Sequence, residues 1–191
     1  MRSALVDRTI KVIATEGLDK TTTKAITLGT GINEVYIYRH FSSKEDLLSK
    51  AFDSLDTELV CEVMYHFSVM EDTSLDYETR CRIYFNKIWG FLLGNRDKCL
   101  AFVRYYYSPY FARISAKAHK ERYGKVIEMF SRAFIDEADV WMILNHIINV
   151  MLDFAVKVHN GQMSEEDDYA EHVFRVIYAS VKQYFRDAKE K

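Results

Sequence analysis

The segment Thr22-Thr23-Lys24-Ala25-Ile26-Thr27-Leu28-Gly29-Thr30-Gly31-Ile32-Asn33-Glu34-Val35-Tyr36-Ile37-Tyr38-Arg39-His40-Phe41 decides the fold. It reads as two helical stretches of about eight residues each around a tight turn at Gly31, where a positive φ would strain any residue with a Cβ. Isolated helices shorter than ~12–15 residues are marginal in water, so packing has to hold both. Ile26 and Ile32 point inward across the turn and Phe41 closes the end, with Val6, Ile10 and Ile13 of a preceding helix as the opposing face. Two short helices crossing steeply about such a turn make a helix-turn-helix.

Outward from this segment the helical pattern continues. Before it, Val6, Ile10 and Ile13 recur at helical spacing until Gly17, a residue suited to the left-handed ending of a helix. After it, Ser42-Ser43-Lys44-Glu45 predicts a capping box from Ser42 to Glu45 and a helix over 43–67. Further apolar stripes step by three or four: Leu48, Phe52, Leu55, Leu59, then Tyr77, Cys81, Tyr84, Ile88, then Tyr123, Val126, Ile127, Phe130, then Ala170, Val173, Ile177, Val181. Breaks fall at 72–74, 95–97, 108–109 and 160–162, and no stretch alternates with period two. The expected fold is all-α with about nine helices, a helix-turn-helix head over 1–46 and a larger helical body over 47–191.

Composition agrees with that reading. Seven Gly and one Pro in 191 residues exclude collagen, turn-rich all-β folds and low-complexity disorder. With 26 basic and 28 acidic residues the net charge is −2, too small to hold nucleic acid or an anionic membrane indiscriminately, so a polyanion has to meet a local patch. Residues 1–50 carry 8 basic and 6 acidic groups, which points to that end as the anion-facing one. Cys61, Cys81 and Cys99 lie far apart without a CxxC, the usage of a reducing cytoplasm. The longest apolar run, Ile88 to Gly94, predicts neither a membrane span nor an export signal. No HExxH, GxSxG, P-loop or GxGxxG occurs, and the 6 histidines show no ligand-like spacing, so no catalytic group, metal or other cofactor is nominated.

The second short helix, Asn33 to His40, would be ~12 Å long, about the width of the B-DNA major groove. Its surface positions Asn33, Glu34, Tyr36, Arg39 and His40 carry hydrogen-bonding groups, and Asn33 is a good N-cap residue. Glu34 cannot attract phosphate, so it either accepts from cytosine N4 or faces solvent. Tyr36 suits a base edge or a thymine methyl. Lys44 opposes the dipole of the helix it begins, which favours a phosphate contact.

Taken together, Thr22-Thr23-Lys24-Ala25-Ile26, Gly31-Ile32-Asn33, Ile37-Tyr38-Arg39-His40-Phe41 and Ser43-Lys44-Glu45-Asp46-Leu47-Leu48 resemble the signature of the tetracycline-repressor (TetR) family, over a quarter of the chain. The resemblance implies a homodimeric, ligand-responsive transcriptional regulator. Within it Thr23 corresponds to a threonine at the start of helix 2, Tyr38 to a tyrosine touching a phosphate and Lys44 to a lysine reaching the backbone. Thr27 and Thr30 stand where alanines are usual, and Glu34-Val35-Tyr36 where a lysine, a small residue and a small hydroxyl residue are common. Operator DNA would then be positioned by Thr23, Tyr38, His40 and Lys44 on phosphates and read by Asn33, Tyr36 and Arg39.

The rest of the chain offers an aromatic cluster between Tyr84 and Phe111, either a ligand pocket or plain core. Consecutive helical residues fan out by ~100°, so Tyr105, Tyr106 and Tyr107 cannot all line one cavity. Trp89, Phe102, Tyr106 and Phe130, with His146 or Asn149 as polar handles, are the candidates for holding a small apolar or aromatic effector. Residues 138–158 are apolar at 15 of 21 positions, more than one core-facing side requires, so a second copy is expected to cover the remainder. The neighbouring helix, 165–186, opens on the acidic run Glu165-Glu166-Asp167-Asp168, and the two would build the homodimer. The competing reading is a small-molecule-binding helical protein or enzyme in which the helix-turn-helix is only a packing unit.

Overall fold

The computed structural model describes residues 2–164 and 169–186. Among them are nine α-helices and no strand: α1 (Arg2–Glu16), α2 (Thr23–Thr27), α3 (Val35–His40), α4 (Lys44–Tyr65), α5 (Tyr77–Gly94), α6 (Arg96–Tyr106), α7 (Ala116–Ser131), α8 (Val140–His159) and α9 (Tyr169–Val181). Short 3-10 turns at Phe67–Glu71 and Lys182–Tyr184 and a π-helical segment at Phe111–Ser115 complete the order. The all-α expectation holds, and the breaks at 72–74, 108–109 and 160–162 fall between the named helices, while of 95–97 only Asn95 does, because α6 begins at Arg96. Contacts divide the chain into two compact units, one of the residues up to Leu59 with Asn95–Glu121, the other of Val60–Gly94 with the residues from Arg122 onward.

In the first unit α1 packs along α6. Arg104 on α6 donates to the carbonyls of Ile13 and Ala14 at 2.7 and 2.8 Å. Ile13 O also accepts from Gly17 N at 3.1 Å, whereas Ala14 O is one that the end of α1 leaves without a helical amide, and the guanidinium charge suits the negative end of the helix. Gly17, at φ +90°, then turns the chain out of α1. Phe52 of α4 stacks on Tyr105 at 4.8 Å and meets Phe102 at 5.1 Å and Phe111 at 5.4 Å. Beside this aromatic core the buried Asp56 carboxylate meets His119 Nδ1 at 2.9 Å.

The start of α4 corrects the expected cap by one residue. Ser43 Oγ accepts from the Asp46 amide at 3.1 Å, while the Asp46 carboxylate accepts from the Ser42 amide at 2.9 Å. Ser43-Lys44-Glu45-Asp46 is itself a Ser-x-x-acid pattern, and with Ser43 as the cap the third helical residue is Asp46, not Glu45. Glu45 faces Arg113 instead, at 3.4 Å. At its far end α4 stops at Tyr65, and the chain tightens into the 3-10 turn in place of the helical residues expected as far as 67.

In the second unit α5 packs on α8 and α9, and these two pack on each other. Asp139 caps α8 by accepting from the Met142 amide at 2.9 Å. By length and composition α8 could cross a membrane, a property that counting unbroken apolar residues misses, and 22% of its most apolar stretch is buried. The helix expected over 165–186 ends at Val181, because Phe185 turns back to bridge Phe134, with Ile135 N donating to Tyr184 O at 2.8 Å. The acidic run 165–168 lies outside the described residues.

Candidate functional site

The head is built around one small cluster. Leu5, Ile26, Ile37, Phe41 and Leu47 are buried together, with Val6 and Ile32 packed against them. Sequence reasoning named Val6, Ile10 and Ile13 as the face that α1 supplies. Leu5 takes that place with Val6, while Ile10 and Ile13 are buried outside this cluster.

Around this cluster threonines and an asparagine set the local geometry. Thr22 caps α2, accepting from the Ala25 amide at 3.1 Å. Thr27 Oγ1 donates back to the Thr23 carbonyl at 3.0 Å, Thr30 Oγ1 donates to the Thr27 carbonyl at 2.7 Å, and Ile32 N donates to Thr30 Oγ1 at 3.1 Å. Such side-chain bonds compete with the helical ladder and shorten it. Both helices are therefore shorter than expected, five and six residues. Gly31 makes the connection at φ +70°. Asn33 precedes α3 by two residues, its Oδ1 accepting from the Val35 amide at 3.0 Å and its carbonyl from the Tyr36 amide at 2.9 Å.

With Ile37 at 0% exposure, the outer surface of α3 belongs to Val35, Tyr38, Arg39 and His40. Tyr38 is 58% exposed, and Asn33 is exposed just before the helix. Tyr36 is half-buried beneath Arg39, whose guanidinium lies 4.7 Å from its ring centroid. Lys44 is half-exposed at the first position of α4. Thr23 and Glu34 differ from the rest, because Thr23 Oγ1 donates to Glu34 Oε2 at 2.5 Å. Glu34 Oε2 thus accepts from Thr23 and ties the start of α2 to the start of α3. Val35, 57% exposed, is a surface residue that sequence reasoning passed over. Its signal was available, since it lies ~200° around the helix from Ile37.

The second unit contains an apolar cavity of about 100 Å³. The stripes that sequence periodicity assigned to α5, α7 and α9 meet there, through Tyr77, Cys81 and Tyr84, through Phe130, and through Ile177. None of the described lining residues is charged. Burial pushes the Cys81 thiol up to about 12 and raises the Tyr84 phenol well above its ordinary value. Tyr84 Oη donates to the Val63 carbonyl at 2.8 Å.

Of the six effector candidates, Phe130 lines this cavity and the other five do not. Trp89 stacks behind the wall on Phe85 at 5.7 Å. Phe102 and Tyr106 belong to the first unit, stacked on each other at 5.8 Å beside Phe111. On α8 the wall is made by Leu144, Ile147, Ile148 and Met151. His146 and Asn149 lie on the opposite side at ~100° per residue, and His146 meets Ser180 at 3.0 Å. No cluster of metal-ligating side chains occurs among the described residues.

The chain thus combines a helix-turn-helix whose short second helix is exposed with an apolar cavity of about 100 Å³. Residues 5–51 match the family model of the bacterial regulatory proteins of the tetR family. The fold is that of TetR-family transcription regulators. A TetR family transcription regulator from Marinobacter aquaeolei VT8 superposes with TM-score 0.73 at 15% identity, covering 93% of each chain. The fatty acid degradation regulator FadR from Bacillus halodurans does so with TM-score 0.68 at 17% identity, over 93% of this chain and 97% of that one. FadR from Bacillus subtilis in complex with stearoyl-CoA gives 0.69 at 15%, over 93% and 97%. No curated protein matches the sequence.

Proposed function

We propose that the protein is a homodimeric, ligand-responsive transcriptional regulator acting in the cytoplasm, a repressor that leaves operator DNA when a small apolar effector enters the cavity. The observation that carries this reading is the arrangement of α3: Ile37 is completely buried, and Val35, Tyr38, Arg39 and His40 are held on the outer surface. Residues 1–46 form the DNA-binding domain and 47–191 the effector-binding and dimerisation domain. Tyr38, His40 and Lys44 contact phosphates, Asn33, Tyr36 and Arg39 read base edges, and Val35 offers methyl groups to a thymine. Thr23 acts partly through Glu34, which it holds in place.

A dimer through 138–158 and 165–186 has support in the apolar side chains that α8 and α9 leave outside, Met142 at 58% and Val176 at 60% exposure. It would present two heads to half-sites ~34–36 Å or somewhat more apart. Ligand response is supported by the cavity and by the stearoyl-CoA complex of the Bacillus subtilis relative. A typical coupling between effector and operator is ~1–3 kcal/mol.

The test is a mobility shift with DNA flanking the protein's own gene, repeated over a range of salt. Lys44→Ala should weaken binding to every sequence alike and lower the salt slope by about 1. Unchanged affinity and slope would remove Lys44 from the interface, and no shift on any duplex would end the operator reading. Sedimentation at micromolar concentration should give twice the 22.4 kDa of one chain.

A further inference from the structure

The cavity does more than allow a ligand; its size and chemistry restrict which one. Building on the effector reading above, we infer that the effector is a neutral molecule of one aromatic ring, carrying a single O–H or N–H donor, and not a carboxylate or an acyl thioester.

Size comes first. An apolar cavity of ~150 Å³ holds one benzene ring, and such cavities stay dry because water finds no partners in them. The void here is about 100 Å³, so a single ring already requires the wall to yield a little, and a long acyl chain has no room.

Charge comes next. No Asp, Glu, Lys, Arg or His is among the described lining residues. An anion inside would lose its hydration and meet no charged group in the lining itself, a cost of several kcal/mol that ordinarily forces neutralisation. The Cys81 thiol, on the same wall, already shows that penalty in its rise to about 12. Two guanidiniums touch wall residues without joining the lining, Arg80 over the Tyr77 ring at 4.9 Å and Arg82 over the Phe174 ring at 4.3 Å, and beyond Phe67, whose ring meets Phe130 edge-on at 4.9 Å, lies a shallow charged depression. The depression there offers Lys125 and Arg132 but also Glu71 and Glu128, which gives an anionic head group no net attraction.

Two further features select the ring and its donor. Aromatic rings prefer offset or edge-on neighbours, and the wall offers such edges on several sides, Phe130 and Tyr84 among them at 5.7 Å from each other. Tyr84 Oη commits its proton to the Val63 carbonyl, so toward the cavity this oxygen acts as an acceptor. A phenol O–H supplies what it takes.

Calorimetric titration of the full chain with p-cresol, indole, toluene, decanoate and stearoyl-CoA tests this. The expected result is saturable binding of p-cresol, roughly three- to tenfold tighter than toluene, the ratio a single hydrogen bond provides, with the larger indole binding more weakly than p-cresol. Tyr84→Phe should bring p-cresol down to the affinity of toluene and leave toluene unchanged. Ile88→Phe, which pushes a ring into the void, should weaken all three more than tenfold; should that variant melt early, Val126→Ile fills part of the space more gently. Binding of decanoate or stearoyl-CoA in preference to p-cresol overturns the inference while the regulator reading stands. Binding of no probe overturns it too, and operator binding by the same sample then reports separately on the regulator.

Discussion

The cluster beneath α3 and the wall beside α5 are both apolar, yet one is filled and the other holds a void. Under α3, five side chains from four helices close on each other completely, and Ile37 has no exposed surface. Beside α5, the same kinds of residue leave about 100 Å³ between them. A filled core fixes the angle of a short helix, which reading a groove demands. A hollow one forfeits dispersion contacts that a ligand can restore. The largest expected effect follows from this difference. Ile37→Ala should destabilise by about 4 kcal/mol, toward the upper end of the range for buried Ile→Ala, since its neighbours have nothing to relax into. Ile177→Ala, with the void already on one side, should cost about 2 kcal/mol. Urea unfolding of the two variants measures both, and equal costs would mean that the wall is as tightly packed as the cluster.

The two regions also use polar groups differently. Around α3 a guanidinium covers an exposed-face ring, Arg39 over Tyr36 at 4.7 Å, whereas at the cavity Arg80 and Arg82 sit on the Tyr77 and Phe174 rings and no charged residue lines the void. Tyr36→Ala should therefore weaken operator binding by ~1–3 kcal/mol and relax the base preference, and it should release Arg39 as well. In competition mobility shifts the loss from Tyr36→Ala and Arg39→Ala together should differ from the sum of the single losses by ~0.5–1 kcal/mol. Strict additivity would show that the two residues act on DNA independently.

Sequence reading succeeded and failed along the same division. The helix-turn-helix was legible because its causes are local: Thr22 caps, Gly31 turns, Asn33 starts a helix, and Ile26, Ile37 and Phe41 fall at fixed distances from them. Its errors were also local and small, a cap displaced from Ser42 to Ser43 and helices shortened by threonine back-bonding. The cavity has no such signature. Each stripe was visible by period, but which stripes converge depends on packing between residues as far apart as Tyr77 and Ile177. Aromatic density therefore misled, since Phe102 and Tyr106 fill the core around Phe52, whereas Tyr84 and Phe130 border the void. The Thr23–Glu34 bond was beyond reach for a third reason: helical phase places both side chains, but not the turn that brings them together.

One property is common to both units, and it gives a weaker discriminator. Each has a buried thiol pushed from an ordinary 9.0 to about 12 by loss of hydration, Cys99 in the first and Cys81 in the second. Above pH 9 the unfolded chain gives up these protons and the folded chain keeps them, so stability falls as pH rises toward 12. Each thiol contributes about 1.4 kcal/mol per pH unit at most. Urea midpoints should therefore drop between pH 9 and 10, with Cys81→Ala and Cys99→Ala each removing about a third of the slope and the Tyr84, Tyr105 and Tyr178 phenols, also raised by burial, carrying the rest. A drop unchanged in both variants would assign it to other groups. At pH 8 a thiol reagent should modify the exposed Cys61 before either of them, because the thiolate is the reactive form.

The smallest effect tests how far the head itself departs from simple surface chemistry. Thr23 Oγ1 donates to Glu34, so Thr23→Val, which keeps the shape and removes the donor, should cost about 1 kcal/mol of stability. If Thr23 also donates to a phosphate in the complex, its removal should weaken operator binding at every sequence. Because a hydroxyl carries no charge and releases no counter-ion, the salt slope should not change, in contrast to Lys44→Ala. Glu34→Gln keeps an acceptor for Thr23 and removes a negative charge from the DNA-facing end, so it should leave stability nearly unchanged and tighten non-specific binding. The informative comparison is the double variant. If Thr23 acts on DNA only by placing Glu34, Thr23→Val should lose its effect on binding once Glu34 is alanine; if it reaches a phosphate itself, the loss should persist in that background.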